Sequence, residues 1–490
     1  MRSAEVANFR VAHATWLFGL VAFFLPAATW SPVSRFDLTR AIVEQGSLRI
    51  DRDVRNTGDR AFSGGHWYTD KAPFVSFAAV PVYAAVHVLQ HSRGAEPAFE
   101  AHGSDSHPAR HVIPNKPFSQ ALYACSLVTN GLAGVAVGLL LFELLRRRTT
   151  SRVAFVSSTL VLLGTPLFSY STSFYSHVPA AALLLGAALA LDRRGLRPAD
   201  ALPSRASLRV AGACLALAVG CEYLVAVPAA VMALAFAFSL EPRERLTVAW
   251  QFALGAFLPA LALAAYHTAA FGRPWLTGYS FVTNPEFAGQ ARGLLGLHFP
   301  TLAGVFGLTF GVRRGLFALS PVAVVGVLFG YAHVRRRHDR TFALGLWALL
   351  ALFVVNAGYY MWWGGAADGP RHLVPALPFL AAGVMVGLGL RQRWARLLTL
   401  GAGLLSVLNY TLLTAVGVEG PERGDLLYGY AWPRIMQGRL STFAGSSNLG
   451  MRLGLTGVAS LAPFVAWGVL GYYYLWRKLS RRPWRAPAPN

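Results

Sequence analysis

Hydrophobic residues in this chain do not alternate with polar ones at a period of two. They gather into uninterrupted stretches of about 17–25 residues, the length that crosses ~30 Å of hydrocarbon at 1.5 Å per residue. Twelve such stretches lie at about 11–30, 118–145, 153–172, 174–191, 207–221, 223–240, 247–269, 318–334, 341–358, 372–390, 395–417 and 456–476. The pattern predicts an all-α integral membrane protein of about 12 transmembrane helices.

The polar breaks orient these helices. Arginine runs recur at Arg146–Arg148 with Arg152, Arg193 and Arg194 with Arg197, Arg243 with Arg245, Arg335–Arg337 with Arg340, Arg391 and Arg393 with Arg396, and Arg477 through Arg485. Short loops this basic belong in the cytoplasm, which puts both termini there. Residues 1–30 then form a cytoplasmic leader and a first helix retained as a signal anchor, and 31–117 a first outer loop. Residues 118–269 hold helices 2–7, 270–317 a second outer loop, and 318–476 helices 8–12 with outer loops 359–371 and 418–455. The basic tail 477–490 contacts anionic lipid. Phe74 to Leu89 is apolar enough to be a helix, but a crossing there would turn the Arg146 cluster outward. It is expected to lie on the outer leaflet as a juxtamembrane helix. Neither a 20–50 residue repeat nor the inverted hydropathy of a transporter is found.

Composition sharpens this picture. Apolar residues make up 54% and charged ones 13%, which excludes a water-soluble fold. A net charge of +22 would suggest nucleic acid in a soluble chain, but membrane topology and anionic lipid account for it here, so no nucleic-acid partner is expected. Lysines number three (Lys71, Lys116, Lys478), so Lys71 in an outer loop stands out. Cys125, Cys214 and Cys221 all fall in apolar stretches and form no disulfide or zinc pattern.

Candidate chemistry concentrates in the first outer loop, which holds Asp37, Glu44, Asp51, Asp53, Asp59, Asp70, Glu96, Glu100 and Asp105. Asp37 opens an expected amphipathic helix to Gln45, stopped by Gly46. There it can meet a lipid headgroup and a water-borne hydroxyl together, or simply stabilise the helix's first turn. Asp51-Arg52-Asp53 has the spacing that holds a divalent cation on a diphosphate, and equally that of a solvated ion-pair cluster. Asp59 follows Gly58 and also suits a turn. In Tyr68-Thr69-Asp70-Lys71-Ala72-Pro73, Lys71 presents a compact cation at phosphate height or snorkels from an interfacial helix. His177, Glu222, Arg313 with Arg314, and Trp362 through His372 all fall at outer helix ends, which points to one outer-face cavity. An acid such as Glu222 between apolar helices is costly and has a partner or a function. Arg371 with His372 can clamp a phosphate oxygen or a sugar, or anchor the interface beside Trp362 and Trp363.

In this order, the acidic first loop and Tyr68-Thr69-Asp70-Lys71-Ala72-Pro73-Phe74 resemble the GT-C superfamily of polyprenyl-phosphate-dependent glycosyltransferases. The likeness is greatest to its protein O-mannosyltransferase and lipid A aminoarabinose transferase branch, and covers roughly residues 10–390. Its members carry amphipathic juxtamembrane helices and a catalytic aspartate in the first outer loop, and a K-P-P or H-P-P sequence where the loop returns to the membrane. The resemblance implies a bacterial cytoplasmic-membrane enzyme acting on the extracytoplasmic face. Its donor would be a polyprenyl-phosphate sugar, and its acceptor a hydroxyl of a glycan, lipid or protein. The base would be Asp37, placed first by its position after helix one, with Asp59 and Asp51 behind it. Branch members carry Asp-Glu near the start of the loop, where this chain has Phe36-Asp37-Leu38, and alignment on Gly46 does not superpose Asp37 on that aspartate. The resemblance makes Lys71 the phosphate-binding lysine, with Arg371 and Arg313 supporting it and Tyr68, His177, Glu222, His372 and Trp363 contacting substrate. No cofactor is expected, a divalent metal at Asp51 and Asp53 being the reservation. A lipid-linked sugar flippase would instead need charges near mid-membrane. A surface-glycan polymerase or ligase would place essential groups in the late loop of Glu419, Glu422, Arg423 and Asp425.

Overall fold

The structure, a computed structural model, describes residues 3–101, 113–192, 202–440 and 445–480. Asp105, the Arg193, Arg194 and Arg197 cluster, and the tail from Arg481 lie outside these residues. Helix forms where the apolar runs are, because in hydrocarbon each backbone N–H must bond within its own segment. The first half comprises α1 (Ser3–Ala22), α2 (Trp30–Gln45), α3 (Phe74–His91), α4 (Lys116–Ser126), α5 (Leu132–Arg146), α6 (Ser151–Leu163), α7 (Pro166–Ser171), α8 (His177–Ala190), α9 (Arg205–Cys221), α10 (Ala226–Phe238) and α11 (Pro242–Phe271). There follow α12 (Leu302–Thr309), α13 (Leu316–Leu319), α14 (Val322–Arg337), α15 (Arg340–Ala357), α16 (Ala381–Gly389), α17 (Arg393–Val416), α18 (Trp432–Met436), α19 (Leu449–Arg452) and α20 (Ala462–Ser480). Helix thus covers each of the twelve stretches expected to cross, with breaks inside some of them, as at Gly164 and Thr165 between α6 and α7. Seven spans among the described residues are long and apolar enough to cross by themselves.

Three short antiparallel pairs complete the architecture. β1 (Phe24–Leu25) pairs with β6 (Ser447–Asn448), β2 (Arg60–Ser63) with β3 (His66–Thr69), and β4 (Phe99–Ala101) with β5 (Ile113–Pro114). At the centre, α8 and the 3₁₀ segment Arg371–Leu380 pack together between α5, α9 and α15.

Ion pairs define one end of the bundle. Arg148, just past α5, bonds Asp192 beyond α8 at 2.8 Å and Asp339 at the start of α15 at 2.7 Å, and Arg10 of α1 bonds Glu143 at 2.8 Å. The other end gathers the first outer loop, the start of α8, the end of α9 and the start of the 371–380 segment. The α3 helix begins and ends on this second side. Phe74 fills the space beside Gly220 at the end of α9, Phe77 packs on Tyr266 near the end of α11, and Gln90 donates to the Pro117 carbonyl at 2.9 Å. Pro117 opens the rod of α4 and α5 that runs down to Arg146, so both ends of α3 have partners on the first-loop side, although α3 is itself one of the seven spans apolar enough to cross.

One boundary differs from expectation. The helix predicted from Asp37 starts at Trp30, because Pro32 sits in its first turn, where the missing N–H has no intrahelical partner to lose. It stops at Gly46 as expected, with φ 60°, the Gly46 N–H turned back to the Ile42 carbonyl and the Ser47 N–H to the Ala41 carbonyl.

Candidate active site

A four-residue-stranded hairpin builds the centre of the site. Gly64 and Gly65 have φ of 56° and 84°, the two positive values that a two-residue turn between right-twisted strands requires. The turn sets the register Ser63 opposite His66 through Arg60 opposite Thr69. Asp59 and Asp70, the next residue on each strand, are therefore brought face to face. Lys71 Nζ lies between them, 3.0 Å from Asp59 Oδ2 and 2.9 Å from Asp70 Oδ2. Ser34 of α2 fastens the pair from behind, donating to the Asp59 carbonyl at 2.5 Å and sharing a 2.6 Å hydrogen bond with Thr69 Oγ1. Asp59 and Lys71 are 4% and 7% exposed, while Asp70 is fully enclosed. Burial, aided by the neighbouring Asp59, pushes the Asp70 carboxyl up to about 6.

Aromatic rings pack around this group. Trp30 lies flat against Gly58, a position where a side chain would collide with it, and meets Phe287 edge-on at 5.9 Å. Phe287 stands 5.8 Å from Lys71 Nζ, and Tyr360 packs on Gly289 and Gly296 of the same outer segment. Arg371 lies over the Tyr175 ring at 5.9 Å and feels the carboxylates of Asp59 and Glu419. Tyr175 in turn donates to Glu419 Oε1 at 2.6 Å. Asp59 and Lys71 are thus one ion pair and Tyr175 with Glu419 one hydrogen bond, with Arg371 over the Tyr175 ring and within electrostatic reach of both acids.

There is a second polar group. Glu222 accepts from Ser176 Oγ at 2.7 Å, with Arg35 Nη2 at 3.9 Å and His177 Nδ1 at 3.5 Å. His177 meets His372 edge-on at 5.6 Å, and neither ring nitrogen of His372 has a partner among the described residues. Glu222, His177 and His372 are therefore together, and buried as Asp59 is.

Other candidates lie elsewhere. Asp37 is fully buried in a separate network, where Arg40 reaches it at 3.7 Å, Asp53 at 2.8 Å and Glu44 at 2.9 Å. Asn56 donates to Asp37 Oδ1 at 3.3 Å, Tyr83 to Glu44 at 2.5 Å, and Arg52 pairs with Glu44. Burial and the nearby Asp53 hold the Asp37 carboxyl well above the usual carboxylate range. Asp51 is on the surface, accepting from Trp67 N at 2.7 Å and bonded to His66 at 2.8 Å, so the two acids of the D-x-D serve separate partners. Among the described residues no group of three or more His, Cys, Asp or Glu is arranged to hold a metal ion. Tyr68 packs away into an apolar cluster against Phe271 at 5.6 Å. Arg313 lies over Trp363 at 5.8 Å on the rim. Its neighbour Arg314 is fully buried, donating to the Trp363 and Gly365 carbonyls at 3.1 and 2.9 Å. Arg314 thereby holds the loop that leads into Arg371.

Sequence reasoning missed the roles of Asp70, Ser34, Tyr175 and Arg35. Gly64-Gly65 between two short strand-like runs was the available signal for the first, since such a pair reads as a hairpin turn that fixes the register.

The helical membrane bundle superposes on two solved structures, which shows a GT-C-like fold. ArnT from Cupriavidus metallidurans in the apo state superposes with a TM-score of 0.53 at 15% identity, over 97% of this chain and 76% of that one. The archaeal oligosaccharyltransferase AglB from Archaeoglobus fulgidus, in complex with an inhibitory peptide and a dolichol-phosphate, gives 0.52 at 14% identity. That match covers 86% of this chain, which spans 57% of AglB. No family model matches the sequence, and no curated protein sequence does.

Proposed function

We propose that this chain is a membrane glycosyltransferase that moves a sugar from a polyprenyl-phosphate donor to a hydroxyl acceptor at the extracytoplasmic face of a bacterial cytoplasmic membrane. The observation that carries this reading is the Asp59–Lys71 pair, enclosed by aromatic rings at the end of a GT-C bundle opposite the Arg148 cluster. Lys71 and Arg371 receive the donor phosphate. Asp59, rather than Asp37, is the general base, because the Asp37 carboxylate is enclosed in its own arginine network away from Lys71. The acceptor hydroxyl gives its proton to Asp59 as its oxygen forms a bond to the anomeric carbon from the face opposite the phosphate. The bond from that carbon to the phosphate oxygen breaks, its electron pair stays on the phosphate, and the configuration inverts. Lys71 and Arg371 stabilise the charge that grows on the departing group. With two such cations the monophosphate leaves without a metal. Asp70 is a positioning residue that holds the Lys71 ammonium.

A second reading draws support from Glu419. This acid of the late outer loop accepts from Tyr175, whose ring lies under Arg371, as an enzyme that polymerises or ligates surface glycans would require.

The test is transfer of radiolabelled sugar from a panel of synthetic polyprenyl-phosphate sugars by the full chain in nanodiscs. Asp59→Asn is expected to lower kcat by about 10²–10⁴-fold, and Lys71→Ala to lower kcat/KM by about 10²–10³-fold. Asp37→Asn retains turnover, and wild type keeps its rate in EDTA. Turnover of no donor, with exchange of labelled lipid between leaflets instead, replaces the enzyme with a flippase. A dead Asp37→Asn that folds normally, beside an active Asp59→Asn, moves the base to Asp37.

A further inference from the structure

Between Arg292 and Arg313 the chain carries no acidic or basic residue except His298, in a segment that the spacing of the crossings places in a water-exposed outer loop. Its structure does not suit water. Phe299 is 93% exposed and Leu302 89%, with Leu294, Phe306 and Phe310 also largely exposed. Helix α12 turns Gly304, Gly307 and Leu308 inward and Leu302, Val305 and Phe306 outward, the reverse of a helix on an aqueous surface. The inward glycines are dictated by packing: Gly304 lies against the Ala357 carbonyl and Gly307 against the Trp362 ring. The segment is firmly held. His298 N donates to the Gly358 carbonyl at 2.8 Å and Thr301 N to the Ala357 carbonyl at 3.2 Å, so it sits on the end of α15.

We infer that Leu294–Phe310 is embedded in the acyl region of the bilayer and forms a lipid-facing wall beside the site. The occupant of its apolar face is membrane lipid, because the face continues one already in lipid. Trp347, Leu350 and Val354 are exposed along α15, a membrane-spanning helix, and the strip they form leads to Ala357, where the segment is bonded. A contiguous exposed apolar surface of this kind marks a membrane or protein contact, and the absence of charge across it favours hydrocarbon over a polar-rimmed protein interface. The wall is continuous with the 3₁₀ helix Pro285–Ala291, whose Phe287 stands beside Lys71, so bilayer and site adjoin along it.

The experiment uses the full chain in phosphatidylcholine–phosphatidylglycerol nanodiscs, on a Cys214→Ala background, since Cys125 and Cys221 are buried. An NBD fluorophore is attached at Phe299→Cys, at Leu302→Cys, at Glu286→Cys as the aqueous reference in the same outer segment, and at Leu350→Cys as the lipid reference. The labels at 299 and 302 are expected to emit in the blue, to be quenched by 5-doxyl lipid and to resist aqueous iodide, as at 350. Emission and iodide quenching matching those at 286 would overturn the inference. Unlabelled wild type gives an independent check by hydroxyl-radical footprinting. Phe299 and Phe306 should be oxidised several-fold less than Phe62, which is exposed on the β2–β3 hairpin. Equal oxidation refutes the wall whether or not the cysteine variants fold.

Discussion

At the scale of single residues, the same side-chain type does different work according to its enclosure. Asp70 is held neutral far more readily than a surface aspartate, its carboxyl being raised to about 6 by burial. Above that pH it is ionised and shares the Lys71 charge with Asp59. As the pH falls through 6 it takes up a proton and frees that charge for phosphate. Donor KM should therefore be lower at pH 5 than at pH 8 in wild type, and Asp70→Asn, fixed in the neutral state, should lose that dependence in initial-rate measurements. Arg40 illustrates the opposite case, a cation needed by the acids around it. Its removal leaves Asp53 and Glu44 without their buried partner, so Arg40→Ala should cost about 3–5 kcal/mol, read as a large fall in melting temperature. Asp37→Asn in the same network, replacing a carboxyl already pushed toward its neutral form, should melt close to wild type.

At the scale of elements, the β2–β3 hairpin is the device that makes the site. Its register, and not proximity in sequence, sets Asp59 against Lys71. Gly65 at φ 84° is where a β-branched residue cannot follow the backbone, so Gly65→Val should slip the register and abolish transfer, although residue 65 touches no substrate. Replacing Gly64-Gly65 by Asn-Gly, which tolerates the same turn, should preserve activity and separates the geometric effect from a general loss of fold. Helix α2 contributes through its buried face, where Ser34 reaches the Asp59 group and Arg35 the Ser176–Glu222 group from adjacent positions.

At the scale of the whole molecule, the bundle is polarised. One end is tied by Arg148, Asp192 and Asp339, and the other holds the acid–lysine site. If the arginine-rich end faces the cytoplasm, a membrane-impermeant maleimide applied to spheroplasts should label Glu286→Cys and spare Arg337→Cys until the membrane is opened. The sequence by itself determined the helical class and where the apolar helices run, because a bilayer imposes a length and an apolar composition that can be read locally. It also singled out Lys71 and the acid-rich loop, since an outer-loop lysine in a lysine-poor chain and clustered carboxylates are visible without any fold. Which acid meets that lysine was decided by tertiary structure alone. Asp37 follows the first helix most directly, yet α2 winds it into a buried arginine cluster, while a tight turn carries Asp59 across to Lys71. Glu419 and Tyr175 meet across about half the chain, as do Arg35 and Ser176 across much of the N-terminal half. Loop polar groups have no periodicity to reveal such meetings. They are set by how helix ends pack, and that depends on side chains far away in the sequence.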